Sequence, residues 1–412
     1  MEPENPDQAQ FTRSPEDPAV THRPAPLDQV AYPVREPFSA PEPFLAPEPI
    51  SAPEPISVQE PMETRILLGI LMGPDGLRAG WSIAAFLIVY ALLSAVLGMA
   101  FVRLHLISPG KHEMNANTAV LQELMLLLPA VGAAAVAALL ERRRRNLLEY
   151  NLLGPHRLTR FLSGLLAGFA ALALLVGAMW AGHWITFGGV ALSGGAIARY
   201  AALWALAFLL VGCFEEGAFR CYLQATFTRG LNFWTAFGIL AIVCGLLFWF
   251  GKGNGVWGVY LMAGLGLPLC LWCELKKAPH RGFWYASWVT STMFGAIHTG
   301  NSGENWIGIF AAALIGFVFC VSIWVTGSAW WAIGAHAGWD WAETYFFGTA
   351  DSGMVAPGHL LKTSPIGNVF WSGGTDGPEG SILVLPIILL LLLYVMAVYR
   401  RRASNAVEVA AA

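Results

Sequence analysis

The residues best suited to chemistry in this sequence are two adjacent glutamates and an arginine inside an apolar stretch. They form the pattern Glu215-Glu216-x-x-x-Arg220. Because Glu216 and Arg220 are four residues apart, they would share one face of a helix and could form a bidentate ion pair. Glu215 would then point about 100° away from that face and lack this partner. An unpaired carboxylate beside water suits a general base, and a purely structural network of charges between helices is the alternative.

A second pattern joins a histidine to an aspartate. His336 and Asp340 are four residues apart, so a helix would place them on the same face. That spacing suits a histidine oriented by a carboxylate, two ligands of one metal ion, or two groups that grip one reaction centre. A histidine that packs against an aspartate without any chemical role is the remaining alternative.

The third pattern is Phe294-x-x-x-His298, at the end of an apolar stretch. A single histidine at a helix end is usually an interfacial or capping residue, so His298 gains meaning only in combination with the other patterns. Small residues accompany all three patterns, namely Gly217, Gly295, Gly334 and Gly338. They would let helix backbones approach closely around the polar groups, as tight packing of membrane helices favours.

The composition indicates which elements must position these residues. Of the 412 residues, 56% are hydrophobic and 12% are charged, which leaves too little polar surface to enclose one water-soluble core. The apolar residues fall into runs of about 20, the length that a helix needs to cross a hydrocarbon core of about 30 Å. We therefore predict an all-α fold, a polytopic transmembrane helical bundle of about ten membrane segments. The predicted segments are 80–102, 118–140, 161–186, 200–226, 231–251, 255–275, 283–299, 305–326, 329–347 and 381–399.

The composition also divides the chain into three regions. Residues 1–62 contain 15 of the 25 prolines, carry mostly acidic charge and repeat Ala-Pro-Glu-Pro in three successive hexapeptides. Proline at this density prevents helix formation, so we predict a disordered Pro-rich tail that serves as a spacer or as a docking arm. Residues 63–402 form the predicted transmembrane domain, with all three patterns inside 200–345, and residues 403–412 form a C-terminal tail.

The basic residues indicate the orientation of the bundle. With both termini in the cytoplasm, 18 Lys and Arg residues fall inside and five outside, with Arg220 set aside as intramembrane. The positive-inside rule therefore predicts an integral multi-pass membrane protein with cytoplasmic N- and C-termini. From the general character of the sequence we expect the inner membrane of a bacterial host. We expect the lipid bilayer and a peptide or membrane-protein substrate as partners, and no nucleic acid.

In this order and on separate membrane helices, the three patterns resemble the CAAX prenyl protease and bacteriocin-processing family of intramembrane endopeptidases. That family includes the protease that removes the last three residues of prenylated CAAX proteins. The resemblance implies that Glu215 is the base that activates water and that His298 helps to hold this water. It also implies that His336 and Asp340 stabilise the oxyanion of the reaction.

The resemblance further implies that Glu216 and Arg220 support the site. The family has either Asn or Asp at position 340, and an aspartate donates a hydrogen bond to an oxyanion only when it is protonated. Orienting His336 is therefore the alternative role for Asp340.

The metal requirement stays open from the sequence. No H-E-x-x-H run or similar soluble-protease motif occurs, so the sequence does not establish a requirement for any cofactor. If the site does use a metal ion, zinc bound by Glu215, His298 and His336 is the prediction.

Two features depart from the family pattern. About 70 residues with two extra apolar segments separate the first motif from the second. The predicted spans also place Glu215 in the cytoplasmic half of its helix and His298 at the outer end of its own, so straight helices would keep them apart. Either the boundaries near 283–305 differ, with Gly300 and Gly303 marking a broken or re-entrant helix, or the insertion rearranges the site.

Two other functions could use the same residues. An ion-coupled transporter would employ intramembrane Glu, His and Asp as an ion path, but inverted sequence repeats that would favour it are not evident. A non-catalytic membrane scaffold or immunity protein would tolerate loss of motif residues, whereas all three motifs are intact. An intramembrane endopeptidase that acts on membrane-associated, CAAX-type or other peptides is therefore the leading hypothesis. The polar stretch 348–380 is expected to be a long external connection that could cap its cavity.

Overall fold

The structure is a computed structural model, and it describes residues 69–73, 76–106, 115–141, 146–301 and 303–411, with side chains through Tyr399. The predicted disordered tail, residues 1–62, lies outside the described residues. So do Lys111 and the run from Arg142 to Arg145, which entered the orientation argument. The described chain is mainly helical with little sheet, which confirms the predicted all-α transmembrane bundle.

Twelve α-helices follow one another along the described residues. They are α1 (Ala79–Arg103), α2 (Ala116–Leu140), α3 (Arg157–Ala181), α4 (Gly195–Glu216), α5 (Gln224–Gly230), α6 (Phe233–Phe250), α7 (Val256–Leu275), α8 (Arg281–His298), α9 (Trp306–Thr326), α10 (Trp330–Asp340), the short α11 (Val369–Ser372) and α12 (Val384–Ala411). The π-helical Gly217–Leu223 joins α4 to α5 in one rod, and α10 continues as the π-helical Trp341–Phe347.

Every predicted membrane segment corresponds to a helix, but the helices are not equally apolar. Within the described residues, seven are long and apolar enough to cross a membrane, with the rod Gly195–Gly230 taken as one. The remaining three segments correspond to α8, to α10 with its π-helical extension and to the apolar part of α12, Val384–Tyr399. α8 is less apolar because it carries hydroxyl side chains that are fully buried in the bundle: Ser287, Thr290, Ser291 and Thr292.

The predicted boundary at the end of the third segment is wrong. α3 ends at Ala181 rather than near 186, and Ile185–Val190 forms a strand. His183 has a φ of 61°, a left-handed conformation that ends a helix. A short hairpin earlier in the chain contains β1 (Met72–Gly73) and β2 (Gly76–Leu77). The strand after α3 is therefore β3, and it pairs antiparallel with β4 (Leu361–Pro365).

Contacts between connecting segments support the alternating order of the helices. β3 follows α3 and pairs with β4, which lies between α10 and α12. In a second contact, Glu141 after α2 forms an ion pair with Arg229 of α5, with an N···O distance of 2.5 Å. Six helical segments separate β3 from β4, and two separate Glu141 from Arg229, with the rod counted as one. If successive segments cross the bundle in opposite directions, an even number of them returns the chain to the same side, where these partners can meet. We call residues 348–383, which include β4 and α11, the cap.

α10 packs along α3 through glycines on both helices. Gly164 and Gly168 on α3 meet α10, where Gly334 and Gly338 have the same four-residue spacing. A Cβ atom added at Gly168 would lie 2.0 Å from the carbonyl oxygen of Ala335, so only hydrogen fits there. Such close approach of backbones is how small residues hold membrane helices together. It therefore fixes the part of α10 that carries the third motif.

We expect Gly168→Ala to destabilise the protein although alanine is the better helix former by about 1 kcal/mol. The added methyl group overlaps the backbone of α10, and overpacking of this kind costs about 1–3 kcal/mol. Gly177→Ala on the same helix is the matched control, because its Cβ would meet no atom within 4 Å. Thermal unfolding of both variants in detergent micelles measures the difference. Equal melting temperatures for the two variants would contradict the packing described for α3 and α10.

Candidate active site

The first motif lies where α4 passes into a π-helical turn. Glu215 and Glu216 end α4, and Gly217–Leu223 follows with the wider π geometry. The side-chain amide of Asn151 donates a hydrogen bond to the carbonyl oxygen of Arg220, at 2.7 Å. Single π turns inside α-helices occur frequently at functional sites. The π turn therefore coincides with the first motif, since it begins directly after Glu216 and contains Arg220.

Glu215 and His298 line the same cavity, although straight spans of the predicted length would separate them. The rod Gly195–Gly230 has 36 residues, about 54 Å at 1.5 Å per residue, and Glu215 lies near its middle. α8 has 18 residues and ends at His298, close to the predicted boundary. A rod of this length allows Glu215, near its middle, to reach the same cavity as His298. Among the described residues, none from α6 or α7 lines the cavity, so the two extra segments leave the site intact.

Glu216 connects the first motif to the third. Its Oε2 lies 3.2 Å from Nε of Arg220, and its Oε1 accepts a hydrogen bond of 2.9 Å from Nδ1 of His336. Glu216 and Arg220 are both fully buried. The predicted ion pair is present, but as a single N···O contact rather than a bidentate pair, because His336 occupies the other carboxylate oxygen.

The hydrogen bond to Glu216 turns the opposite side of the His336 ring toward two further carboxylates. Nε2 of His336 lies 3.7 Å from Oε2 of Glu215 and 3.4 Å from Oδ2 of Asp340. The helical spacing of the third motif thus has the expected result, with His336 and Asp340 on one face of α10. His336 stands between the paired Glu216 and the partly exposed Glu215, whose side chain is 21% exposed.

Phe294 connects the second motif to the first. The guanidinium carbon of Arg220 lies 4.1 Å from the centroid of the Phe294 ring and 5.7 Å from those of Phe219 and Phe319. Aromatic faces attract a desolvated cation, so these rings help to hold Arg220 in place. The carbonyl oxygen of Phe294 also accepts a hydrogen bond of 2.7 Å from Nδ1 of His298. Nε2 of His298 is then left as a hydrogen-bond acceptor.

All four predicted catalytic residues line one cavity of about 320 Å³, namely Glu215, His298, His336 and Asp340. They come from α4, α8 and α10, which are far apart in sequence. Apolar side chains form much of the remaining wall, including Phe208, Val211, Ile315, Ile388 and Leu391. The cavity thus combines polar groups at one place with an apolar surface beside them, as ligand sites commonly do.

Further carboxylates line this cavity that the sequence analysis missed. They are Glu123 from α2, Glu304 from the connection before α9, and Asp351 and Glu379 from the cap. Glu123 lies within the predicted segment 118–140, and an acidic residue in a membrane segment was a signal that could have found it. Glu304, Asp351 and Glu379 gave no such signal, because carboxylates are ordinary in polar loops.

Among the acidic residues of the loops and cap, Asp376 is buried, and Glu304, Asp351 and Glu379 are partly buried. Burial raises the pKa of Glu379 well above its ordinary value, and the charge of Asp351 adds to that effect. Burial likewise raises the pKa of Asp376 to about 7, although the backbone N–H of Asn305 donates a hydrogen bond of 3.0 Å to its carboxylate. Both shifts favour the protonated, uncharged form, so the rim of the cavity near the cap is rich in carboxyl groups but not fully ionised.

The predicted zinc ligands do not come together as a metal site. In the part of the chain that the structure describes, three His, Cys, Asp or Glu side chains have ligand atoms within 4.8 Å of one another only at Glu343, Asp351 and Glu379. Ligand atoms about 2.0–2.1 Å from zinc lie within about 4 Å of one another. Glu215, His298 and His336 therefore do not fit a zinc ion in this arrangement.

A known family matches part of the chain. Residues 269–342 match the family model described as type II CAAX prenyl endopeptidase Rce1-like. The match extends from the last turns of α7 through α10, so it includes the second and third motifs, and it begins after the first motif with Glu215. It confirms the family resemblance that the three motifs indicated. No curated protein and no solved structure is similar enough to match the chain.

We expect Arg220→Lys to destabilise the fold by about 2 kcal/mol or more, because lysine keeps the charge but lacks the planar group that packs between aromatic rings. Arg281→Lys is the matched control, since Arg281 is 46% exposed and lies 3.8 Å from a partly exposed Glu274. Thermal unfolding in detergent compares the two variants with the unaltered protein. An unchanged melting temperature for Arg220→Lys would show that the aromatic contacts contribute little.

Proposed function

We propose that this chain, whose residues 269–342 match the family model of Rce1-like type II CAAX prenyl endopeptidases, is an intramembrane endopeptidase. It hydrolyses peptide bonds of membrane-associated proteins or peptides with water that Glu215 activates. The observation that carries this proposal is the meeting of Glu215, His298, His336 and Asp340 from separate helices around one cavity. Family membership alone would not require that meeting.

The attacking water lies between Glu215 and His298 in this mechanism. One hydrogen of the water is donated to the carboxylate of Glu215 and the other to Nε2 of His298. The latter is an acceptor because Nδ1 of His298 donates to the carbonyl of Phe294. Glu215 takes the proton as the water oxygen attacks the scissile carbonyl carbon. It then passes this proton to the leaving amine as the carbon–nitrogen bond breaks.

His336 is the donor to the oxyanion that forms in the attack. Doubly protonated, it donates Nδ1–H to Glu216 and offers Nε2–H to the developing negative charge. Glu216 and Arg220 hold the ring in position. Asp340, with Oδ2 at 3.4 Å from Nε2, orients His336 before the substrate arrives, which avoids the need for a protonated aspartate.

The apolar part of the cavity wall favours substrates that carry apolar groups or lie in the membrane. Prenylated CAAX-type C-terminal peptides are the first substrates to test, because the description of the matched family names them. The excess of basic residues on one side supports an orientation with both termini in the cytoplasm. No metal takes part in the proposed steps.

We expect Glu215→Gln and Glu215→Ala to lower kcat by about 10² to 10⁴, the usual contribution of a general base. The amide and the methyl group cannot take a proton from water. The measurement is cleavage of a panel of membrane-tethered and lipidated peptides by protein in membranes, with products identified by mass spectrometry. Glu274→Gln is the control, because this carboxylate is 38% exposed and forms no part of the cavity. Full turnover by both Glu215 variants would disprove the assigned base.

We expect His298→Ala to lower kcat by about 10² with little change in KM, because His298 contacts the water rather than the peptide. Steady-state kinetics on the best substrate of the same panel separates the two constants. A large rise in KM with unchanged kcat would instead place His298 in substrate binding. Elution of the variant as folded protein in size-exclusion chromatography is the control.

A further inference from the structure

A second acidic group lies outside the three motifs, where the end of α10 meets the cap. Glu343 belongs to the π-helical extension of α10, Asp351 follows it in the cap, and Glu379 lies in the turn Pro378–Gly380. One carboxylate oxygen from each residue lies within 4.8 Å of those from the other two. Three separate parts of the chain thus converge at one point.

The carboxylate of Glu343 has one oxygen without a hydrogen-bond partner. Glu343 is fully buried, and its Oε2 accepts a hydrogen bond of 3.0 Å from Nε1 of Trp339. Its Oε1 is buried and has no hydrogen bond. Leaving a buried acceptor unsatisfied is costly, and more so for a charged group. A ligand that binds oxygen would remove this cost.

The indole of Trp339 links two members of the group. Its Nε1 also lies 2.8 Å from Oε1 of Glu379, so one N–H faces both Glu343 and Glu379. One N–H group shared between two carboxylates gives each only a weak hydrogen bond and removes neither charge. Asp351 receives one hydrogen bond, from Oγ1 of Thr344 at 2.8 Å.

His336 and His298 act electrostatically on Asp351, but the arginine ion pairs of the described residues lie elsewhere. The arginines that form ion pairs there contact other carboxylates: Arg220 with Glu216, Arg229 with Glu141, and Arg281 with Glu274. Buried charges need a partner, a metal ion or a proton to be compatible with folding. The convergence of three acidic oxygens favours a metal ion that prefers oxygen ligands.

We infer that Glu343, Asp351 and Glu379 bind one Ca²⁺ ion at the junction of α10 and the cap. Two ligands of one Ca²⁺ are at most about 4.6–5.2 Å apart, twice the Ca–O distance, whereas two ligands of Mg²⁺ are at most about 4.0–4.2 Å apart. The three carboxylate oxygens are all less than 4.8 Å apart, so they can bind one Ca²⁺ ion together. Carboxylates from separate segments also suit the flexible geometry of Ca²⁺ better than the strict octahedron of Mg²⁺.

The ion has a structural consequence for the cavity. Glu343 lies one turn after Asp340 on the helical element that carries His336, while Asp351 and Glu379 line the cavity from the cap. Ca²⁺ thus ties the cap to the end of α10 beside the cavity. This role does not depend on the proposed peptidase activity.

Binding is tested on the purified full-length protein in detergent, without any substrate. Titration calorimetry with CaCl₂ measures affinity, and Tb³⁺ luminescence excited through tryptophan reports a lanthanide beside Trp339 that Ca²⁺ displaces. The variants are Asp351→Asn, Glu379→Gln and Glu343→Gln. Glu274→Gln, which changes a partly exposed carboxylate outside the group, is the matched control.

We expect one Ca²⁺ per chain, at least tenfold weaker binding in each of the three variants, and binding within twofold of the unaltered protein in the control. Mg²⁺ should bind at least tenfold more weakly than Ca²⁺. Should Glu343→Gln fail to fold, the two cap variants carry the test. Absence of saturable Ca²⁺ binding up to about 10 mM, or equal affinity in the cap variants, overturns the inference. Equal affinity for Mg²⁺ overturns the assignment of calcium.

Discussion

Glu216 carries a charge in a fully buried position, and its two oxygens are divided between Arg220 and His336. A buried carboxylate without both partners would be strongly destabilising, so this arrangement constrains the helices around it. α4 and its π turn must lie against α10 at one depth, because Glu216 and His336 meet at 2.9 Å. Glu215, the neighbour of Glu216, is directed into the cavity as a result.

The surrounding packing keeps this ion network in place. Aromatic rings from α8, α9 and the π turn surround the guanidinium of Arg220, and the most closely packed, Phe294, also holds His298 through its carbonyl oxygen. On the far side of α10, glycines allow α3 to approach within backbone contact. Donors fixed in this way need no reorganisation when charge develops, which is the main advantage of a preorganised site.

The cap contributes acidic side chains to the cavity, whereas the membrane helices contribute most of its apolar wall. Its strand β4 is anchored on β3, while Asp351 and Glu379 face the cavity. The site therefore lies between an apolar wall contributed by membrane helices and an acidic rim contributed largely by connecting segments. Neutralisation of that rim, by protons or by the proposed Ca²⁺, bears on how firmly the cap is held beside the site.

The sequence by itself determined the helical bundle, the approximate place of each segment and the three motifs, because these depend on local patterns. The length of an apolar run and a four-residue spacing need no knowledge of distant neighbours. The predicted end of α3 was wrong, because the left-handed conformation of His183 ends the helix and the following residues form β3, which pairs with β4. Only the tertiary structure decided that Glu216 is shared rather than bidentate, that a long rod allows Glu215 to reach the same cavity as His298, and that Glu123 belongs to the same cavity. It also decided that Glu343, Asp351 and Glu379 converge, because through-space distances between separate segments follow from how the helices pack, and no local pattern records that packing.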